Sequence, residues 1–355
     1  MGRGGRSTMR IRRLEIHDLR SFRGKRVLDF TDPVTGEARD RVVLVGSNGS
    51  GKTTVFDVVE AMLRFVVDEA PPRILDEAGL VTLTMELGRD DPEPIDVAYG
   101  KLPEGDGWEP FGPRVFEEGE FRPCAYTRGS SFEKLVLELA LLVQGKADLS
   151  GGLIYFPHDR ELRPVRGGTI EPPPDDRQWI SRYSPANQWT GSLEQLWVWQ
   201  NYLDLERSSR GEPTGELASS VELLQAVLGP GRQVVVREGR VRVSTPWNDA
   251  SGKPAAVLLD QLPSGERQCV MLFGEITRRK RPHGVLFIDE PEISLHPTLQ
   301  RQTLAQLRRF ARKLDMQVFL ATHSREIVRS VPPGEVMSLD YPESRFDAPV
   351  DEEPS

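Results

Sequence analysis

The sequence has 355 residues, a net charge of −8, and 38% hydrophobic and 28% charged side chains, a composition typical of a soluble globular protein. Its two cysteines, Cys124 and Cys269, exclude a disulfide scaffold and a four-cysteine zinc site, and they are compatible with a reducing cytosol. No apolar stretch is long enough to cross a membrane, and no secretory signal follows the N-terminal arginines. We therefore expect a cytoplasmic protein that has no membrane partner.

The charge is unevenly distributed along the chain. The segment Arg3–Arg26 carries nine basic and two acidic side chains, whereas Asp340–Ser355 carries six acidic side chains and one arginine. We expect residues 1–8 to be a disordered lead and residues 341–355 a disordered acidic tail. The basic segment could hold nucleic acid on one face, or it could be a solvated face without a partner.

In chain order, hydrophobic periodicity first predicts a β-hairpin and a buried strand. The hairpin strands are Ile11–Leu19 and Val27–Phe30, with a turn around Gly24, and the buried strand is Arg41–Val45. The same patterns predict a helix, two strands, a second helix and a further strand, in the order Thr53–Phe65, Val81–Leu87, Ile95–Tyr99, Glu133–Gln144 and Leu153–Phe156.

The second half is predicted to begin with a helical stretch and a hairpin. Leu193–Leu228 is helical with an interruption around Gly211–Gly215, and Gln233–Glu238 pairs with Arg240–Ser244. Helices and strands then alternate, in the order Gln268–Thr277, Val285–Ile288, Thr298–Lys313, Gln317–Ala321 and Arg325–Val331. Such alternation indicates an α/β fold with a parallel sheet covered by helices.

A phosphate-binding loop follows the strand Arg41–Val45. Residues 46–53 match the pattern G-x-x-x-x-G-K-[ST] without a mismatch, between a buried strand and an amphipathic helix. Glycines let backbone N–H groups converge on phosphate oxygens, and the helix N-terminus adds partial positive charge. We expect Lys52 to reach the β- and γ-phosphates and the Thr53 hydroxyl to bind Mg²⁺. The predicted ATP-binding residues are Gly46, Ser47, Asn48, Gly49, Ser50, Gly51, Lys52, Thr53 and Thr54.

Two carboxylates end the apolar strand Val285–Ile288. Ligands bind at the carboxyl ends of parallel strands, so Asp289 and Glu290 are predicted to lie beside the phosphate loop. We expect Asp289 to hold Mg²⁺ together with Thr53, and Glu290 to orient and deprotonate an attacking water.

The segment from Asp289 to Pro297, with the form DEPE-x-x-LHP, resembles ABC-type ATPases of the OLD and related "AAA ATP-binding" families, which are cousins of RecF and SMC proteins. The run Thr322-His323-Ser324 resembles their switch-histidine loop, and residues 11–22 resemble their first strand. The resemblance implies that His323 contacts the γ-phosphate of ATP. His296 and His17 are interpreted as satisfied surface or capping residues.

A signature loop is also implied by the resemblance. Residues 262–268, LPSGERQ, resemble L-S-G-G-E, with Pro263 at the usual serine position. Ser264, Gly265 and Glu266 are then expected to complete the ATP site of a neighbouring subunit. The inter-lobe glutamine has no clear counterpart, although residues 153–160 resemble that junction and His158 or Asp159 could contact a metal-bound water.

The resemblance implies an ABC-type, RecF/SMC-like ATPase head made of a phosphate-loop α/β lobe and a mostly helical signature lobe. The first lobe is expected over residues 9–170 and 276–340, and the signature lobe over residues 171–275. A C-terminal nuclease domain, which many OLD proteins carry, is not expected here. On the helix after Pro297, Arg301, Arg308 and Arg312 share a face, which could track phosphates or be merely solvated.

The implied activity is hydrolysis of Mg-ATP by a head-to-tail homodimer or larger homo-oligomer that acts as a nucleotide-dependent switch. Three roles stay open. The first is the ATPase component of a bacterial anti-phage defence system that works with a separate effector, such as a nuclease. The second is a RecF-like DNA repair or replication ATPase that clamps DNA. The third is an ATP-locked assembly scaffold with negligible turnover.

Overall fold

The structure is a computed structural model that describes residues 7–67, 73–89, 94–100, 109–111, 125–128, 151–160, 172, 178–183, 193–248, 252 and 254–340. The disorder predicted over residues 1–8 is wrong at Ser7 and Thr8, which belong to the first strand, and residues 1–6 lie outside the described residues. The acidic tail over 341–355 and the helix predicted over 133–144 lie outside the described residues.

The described residues form strands and helices at most of the predicted places. The strands are β1 (Ser7–Leu19), β2 (Phe22–Asp29), β3 (Arg41–Val45), β4 (Leu80–Arg89), β5 (Pro94–Gly100), β6 (Glu109–Phe111), β7 (Ala125–Arg128), β8 (Leu153–Phe156), β9 (Ile180–Arg182), β10 (Val234–Arg237), β11 (Arg240–Asn248), β12 (Pro254–Leu258), β13 (Val285–Asp289), β14 (Gln317–Thr322) and β15 (Val336–Ser338). The α-helices are α1 (Lys52–Val67), α2 (Leu193–Ser209), α3 (Glu216–Leu228), α4 (Ser264–Arg279), α5 (Pro297–Leu314) and α6 (Arg325–Arg329). Short 3₁₀ helices cover Arg73–Glu77, Leu259–Gln261 and Pro333–Glu335.

The parallel sheet at the centre of the fold has the order β15-β3-β14-β13-β8-β9. Each neighbouring pair in it is parallel. Along β13, Val285 and Phe287 join one hydrophobic core while Leu286 and Ile288 join the other. Both faces are therefore covered, which explains why the strand reads as an uninterrupted apolar run. The predicted α/β fold with a parallel sheet is confirmed.

The first core lies between the parallel sheet and an antiparallel sheet of order β2-β1-β4-β5-β7-β6. Helix α1 fills this space, and its Phe56 ring stacks on Phe287 with a centroid distance of 4.5 Å. Such a pair adds to the burial free energy of the two rings. Because α1 begins directly after the phosphate loop, this packing fixes the position of the loop.

The hairpin turn was predicted at the wrong residues. The chain reverses at Arg20 and Ser21, and Gly24 lies inside β2. The register passes from His17 opposite Lys25 to Leu19 opposite Phe22, so β2 contains an extra residue there. Gly24 adopts φ +64° and its amide donates to Asp18 Oδ1 at 2.7 Å. The glycine therefore serves a β-bulge rather than the turn.

The second core covers the opposite face of the parallel sheet and is formed with helices α2 to α6. Residues 193–279 contain three helices, as predicted, but they also contain an antiparallel sheet of order β10-β11-β12. Strand β12 was not predicted, and neither were the three-residue edge strands β9 and β15.

Candidate active site

The phosphate loop connects β3 to α1 in the geometry that its sequence predicts. Gly51, with φ +99°, precedes the first residue of α1. A Cβ atom at this position would lie 2.6 Å from Phe22 Cζ, so only glycine fits between the hairpin and the helix. The antiparallel sheet therefore packs directly against the loop that carries the predicted ATP-binding residues.

Lys52 is folded into the loop. Its side chain is only 6% exposed, and Nζ donates to the carbonyl oxygens of Gly46 and Ser47, both at 2.9 Å. Burial lowers the pKa of Lys52, and the nearby Asp289 and Asp340 carboxylates oppose that shift. The ammonium group is thus held at the place where the loop would surround phosphate oxygens.

Thr53 and Asp289 meet across the end of the sheet, as predicted. Thr53 Oγ1 donates to Asp289 Oδ2 at 2.6 Å, although the two residues come from α1 and β13. Asp289 is 1% exposed, and burial raises the pKa of its carboxyl group despite the bond from Thr53. His158 Nδ1 lies 3.7 Å from the same carboxylate oxygen; that His158 contacts a metal-bound water stays a prediction.

A hydroxyl and a carboxylate are the hard oxygen ligands that Mg²⁺ prefers. Among the described residues, no group of three or more His, Cys, Asp or Glu side chains could hold a metal ion. Thr53 Oγ1 and the Asp289 carboxylate are ligands of this kind, and they fit a nucleotide site in which phosphates and waters supply the remaining ligands of Mg²⁺.

Glu290 lies at the turn that follows β13. Its φ of +48° is in the left-handed region, which is uncommon for a residue with a side chain and often occurs at functional sites. Its amide donates to the Ala321 carbonyl at 2.8 Å. Its Oε1 is 3.9 Å from His323 Nε2, so the structure brings the predicted base and switch histidine together.

Glu292 organises the histidine loop, a role that was not predicted. Its Oε1 accepts hydrogen bonds from Thr322 Oγ1 at 2.7 Å, His323 N at 2.8 Å and Ser324 N at 3.1 Å. One carboxylate oxygen thereby connects the turn after β13 to the turn after β14. The third acidic residue of the DEPE run was the available signal in the sequence.

A cavity of about 370 Å³ extends beside the phosphate loop towards the β1–β2 hairpin. Three cationic residues of the hairpin, Arg23, Lys25 and Arg26, line one side, and Ser47–Ser50 line the other. Asp340 also lines it, and its Oδ1 accepts from the amide and hydroxyl of Ser47, both at 2.8 Å. The basic N-terminal segment was predicted to be a nucleic-acid face or a solvated face, so neither its place beside the phosphate loop nor that of Asp340 was predicted.

The signature residues begin α4. Ser264 is the first helical residue and is exposed, and Pro263 before it provides no side-chain cap. Glu266 Oε1 is 2.6 Å from Arg232 Nη2. A Cβ atom on Gly265 would lie 2.6 Å from the Ser294 carbonyl, so glycine allows α4 to approach the segment after the acidic strand. That these residues complete a neighbouring subunit's site stays a prediction.

His296, His17 and two of the arginines that share a face of α5 have partners within the fold. His296 caps α5 by accepting from Thr298 N at 3.4 Å, and His17 bonds Glu15 at 2.9 Å, as their interpretation predicted. On α5, Arg301 pairs with Glu326 at 2.7 Å and Arg308 lies 3.7 Å from Glu335. Because acidic partners offset the charges of Arg301 and Arg308, this face of α5 fits a solvated surface better than a surface that binds nucleic-acid phosphates.

Comparison with known proteins finds one matching family model and several solved structures of similar fold. Residues 229–329 match a family model described as "AAA domain, putative AbiEii toxin, Type IV TA system", a stretch that includes the signature loop, the acidic strand and His323. A solved SMC head bound to the C-winged helix domain of ScpA is similar over 91% of this chain and 92% of that chain, with 13% identity and a TM-score of 0.51.

Two further solved structures are similar over most of their lengths. The SMC head domain from Thermotoga maritima matches 93% of this chain and 94% of that chain, at 16% identity and a TM-score of 0.48. A dimeric bacterial ABC transporter cassette, MJ0796, matches 91% and 90% respectively, at 11% identity and a TM-score of 0.38. No curated protein matches the sequence.

The likeness to the ScpA-bound head, together with the parallel sheet and its phosphate loop, shows a fold similar to that of an SMC head. Within the described part of the chain, no helix has the length and apolar character needed to cross a bilayer.

Proposed function

We propose that this chain binds Mg-ATP and hydrolyses it, and that hydrolysis resets a nucleotide-dependent switch. The observation that carries the proposal is the convergence of three elements at the carboxyl edge of the parallel sheet. Lys52 and Thr53 come from α1, Asp289 and Glu290 from the end of β13, and His323 from the turn after β14. The 2.6 Å contact between Thr53 and Asp289 joins the phosphate loop to the acidic strand.

The nucleotide is held by three parts of the site. The loop amides and Lys52 bind the phosphates, and the cavity beside Arg23, Lys25 and Arg26 receives the nucleoside. Mg²⁺ bound at Thr53 and Asp289 would supply a Lewis acid on the phosphate oxygens.

Glu290 orients a water and accepts its proton as the water oxygen attacks the γ-phosphorus. The bond from that phosphorus to the bridging oxygen breaks, and ADP leaves with the bonding electron pair. His323, 3.9 Å from the Glu290 carboxylate, donates a hydrogen bond to the γ-phosphate. It thereby distinguishes the triphosphate from the diphosphate.

Glu290→Gln and Lys52→Ala test this assignment, with Glu238→Gln and Lys313→Ala as matched controls. The control side chains are 84% and 72% exposed. We expect Glu290→Gln to bind ATP normally but to release phosphate about 10²–10⁴ times more slowly, the usual contribution of a positioned base. Lys52→Ala should lose ATP affinity in calorimetry while circular dichroism stays unchanged. Parental turnover in a folded Glu290→Gln chain would contradict the assignment.

For the biological role, we propose the ATPase component of a bacterial anti-phage defence system that works with a separate effector protein. The support is the match of residues 229–329 to a family described by a putative AbiEii toxin and a type IV toxin–antitoxin system. Phage plating on cells that carry the chain with its neighbouring genes tests this role. We expect Glu290→Gln to abolish protection, and equal plating with and without the chain would argue against defence.

A RecF-like clamp on DNA is the second candidate, because the ScpA-bound relative is an SMC head. The two roles separate in one assay, since a DNA clamp should hydrolyse ATP faster when duplex DNA is added. ATP turnover that does not change with DNA at low ionic strength would exclude the clamp.

A further inference from the structure

Arg160 is a buried cation behind the acidic strand that has no role in the chemistry described above. It follows β8 by four residues and is only 2% exposed. Its guanidinium donates to three main-chain carbonyls: Nη1 to Pro157 at 3.0 Å and to Asp289 at 2.5 Å, and Nη2 to Glu290 at 2.7 Å. Burying a guanidinium is costly unless hydrogen bonds compensate for its lost hydration, and these three carbonyls supply such compensation.

These bonds immobilise the main chain on both sides of Glu290. On the amide side, Glu290 N donates to Ala321 at 2.8 Å, and on the carbonyl side its oxygen accepts from Arg160. The residue between them has φ +48°, a conformation that persists only when its surroundings enforce it. Burial lowers the pKa of Arg160 to about 10, so the side chain is still charged at neutral pH.

A second contact joins Arg160 to the helix that carries the signature residues. Gln268 Nε2 donates to the Arg160 carbonyl at 3.2 Å. Gln268 lies in the first turns of α4, which begins at Ser264. The chain at Arg160 therefore touches α4 through its carbonyl and the acidic turn through its side chain.

We propose that Arg160 is a positioning residue that holds Glu290 in its working conformation and transmits the position of α4 to it. The proposal rests on the proposed ATPase function, and it deepens that function by assigning regulation of the same site. A displacement of α4 would shift the Arg160 main chain, and the guanidinium would carry that shift to the Glu290 carbonyl. Hydrolysis would then respond to whatever contacts the signature loop.

The test compares Arg160→Lys with Arg281→Lys. Arg281 is equally buried, at 2% exposure, and donates to the Gln178 carbonyl at 2.8 Å, but it precedes β13 at the opposite end of the strand. Lysine keeps the charge but lacks the planar fork that reaches several carbonyls at once. We expect Arg160→Lys to lower kcat about 10- to 100-fold, as small misplacements of catalytic groups do. Its ATP dissociation constant should stay parental, and Arg281→Lys should keep parental kcat.

Gln268→Met isolates the second contact, because it removes the donated bond and keeps the side-chain volume. We expect an unchanged ATP dissociation constant and a kcat reduced several-fold. If Arg160→Lys does not fold, the proposal is tested with Gln268→Met alone. Parental kcat in folded Arg160→Lys, or an ATP affinity that falls in step with kcat, would overturn the positioning role. Parental kcat in Gln268→Met would overturn the coupling.

The parent protein separates failure of this inference from failure of the proposed function. If the parent releases no phosphate from ATP while it binds the nucleotide, the ATPase assignment itself is wrong. If the parent hydrolyses ATP and Glu290→Gln does not, unchanged kcat in Arg160→Lys and Gln268→Met overturns only the inference made here.

Discussion

Glu292 shows how one side chain can set the geometry of a loop on another strand. Three donors of the histidine loop converge on its Oε1, and Thr322, which contributes one of them, is fully buried. A buried donor without an acceptor is costly, because it has lost its hydrogen bond to water. The position of His323 therefore depends on a carboxylate 31 residues earlier in the sequence.

Glu292→Ala tests this dependence at the residue scale. Removal of the acceptor should destabilise the fold by about 1–3 kcal/mol and lower kcat, because His323 is no longer held. Glu292→Gln is the matched variant, since its amide oxygen can still accept from the same donors. Its free energy of unfolding and its kcat should be close to those of the parent. Urea unfolding and phosphate release measure the two effects. Equal stability of the alanine and glutamine variants would show that the Glu292 carboxylate does not hold the histidine loop.

The predictable residues of the site are those whose role follows from local sequence. Lys52, Thr53 and Asp289 occur in patterns whose spacing alone places them on a loop or at a strand end. Asp340 and Arg160 could not be predicted, because their partners Ser47 and Asp289 are 293 and 129 residues away. Such contacts depend on which strands become neighbours, and strand order is a property of the whole fold.

At the element scale, the contact between α4 and α5 joins the signature residues to the segment that follows the acidic strand. Cys269 on α4 lies in this contact, 1% exposed, with Sγ 3.8 Å from Thr303 Oγ1 of α5. Burial raises the pKa of the Cys269 thiol to about 12. Since the thiolate is the reactive form, the thiol reports whether the two helices have separated.

We expect N-ethylmaleimide to modify Cys269 in the folded protein at least about 10³ times more slowly than in urea, because reaction requires opening of the helix pair. The measurement uses a Cys124→Ser background, so that Cys269 is the only thiol. Rapid modification without loss of circular dichroism would show that α4 and α5 separate readily.

The same thiol gives a pH dependence of stability. The unfolded chain ionises Cys269 above its ordinary pKa of 9.0, whereas the folded chain keeps the proton until about 12. Ionisation of this thiol therefore does not affect stability below about pH 9. Above that value it lowers the free energy of unfolding by up to about 1.4 kcal/mol per pH unit. The free energy of unfolding, measured against pH for the parent and for Cys269→Ala, isolates this slope. If the two curves run parallel above about pH 9, the thiol does not contribute to it.

Element prediction failed where elements are short or unusual. Strands β9 and β15 have three residues each, which is too few for a periodic pattern, and each pairs with only one neighbouring strand, β8 and β3 respectively. Gly24 was read as a turn because glycine is common in turns, but here its positive φ serves a bulge. By contrast, α1 and α5 carry strong apolar periodicity and β13 is a continuous apolar run, and their predicted limits lie close to the observed ones.

At the scale of the whole molecule, we propose that each chain carries two half-sites of an ATP site shared between subunits. The phosphate loop and acidic strand form one, and the start of α4, with exposed Ser264 and no side-chain cap, forms the other. Uncapped helix amides attract anions. If two chains pair head to tail, the α4 end of one chain would cover the nucleotide on the other, so activity would belong to the pair.

Ser264→Arg tests this arrangement. A long cation at the helix N-terminus opposes the helix dipole and fills the space that the γ-phosphate of the partner would enter. We expect the variant to bind ATP normally but to lose ATP-dependent pairing and turnover, as measured by light scattering and phosphate release. Ser219→Arg, on an exposed position of α3, is the matched control and should pair normally.

Mixing Ser264→Arg with Lys52→Ala chains decides whether sites are shared between subunits. A mixed dimer has one intact composite site, formed by the phosphate loop of the Ser264→Arg chain and the α4 end of the Lys52→Ala chain. Two inactive proteins should therefore regain part of the parental ATPase activity when combined, in proportion to the mixed dimers present. If mixed dimers form, as shown by differently tagged chains, and no activity returns, each site acts within its own chain or through another surface.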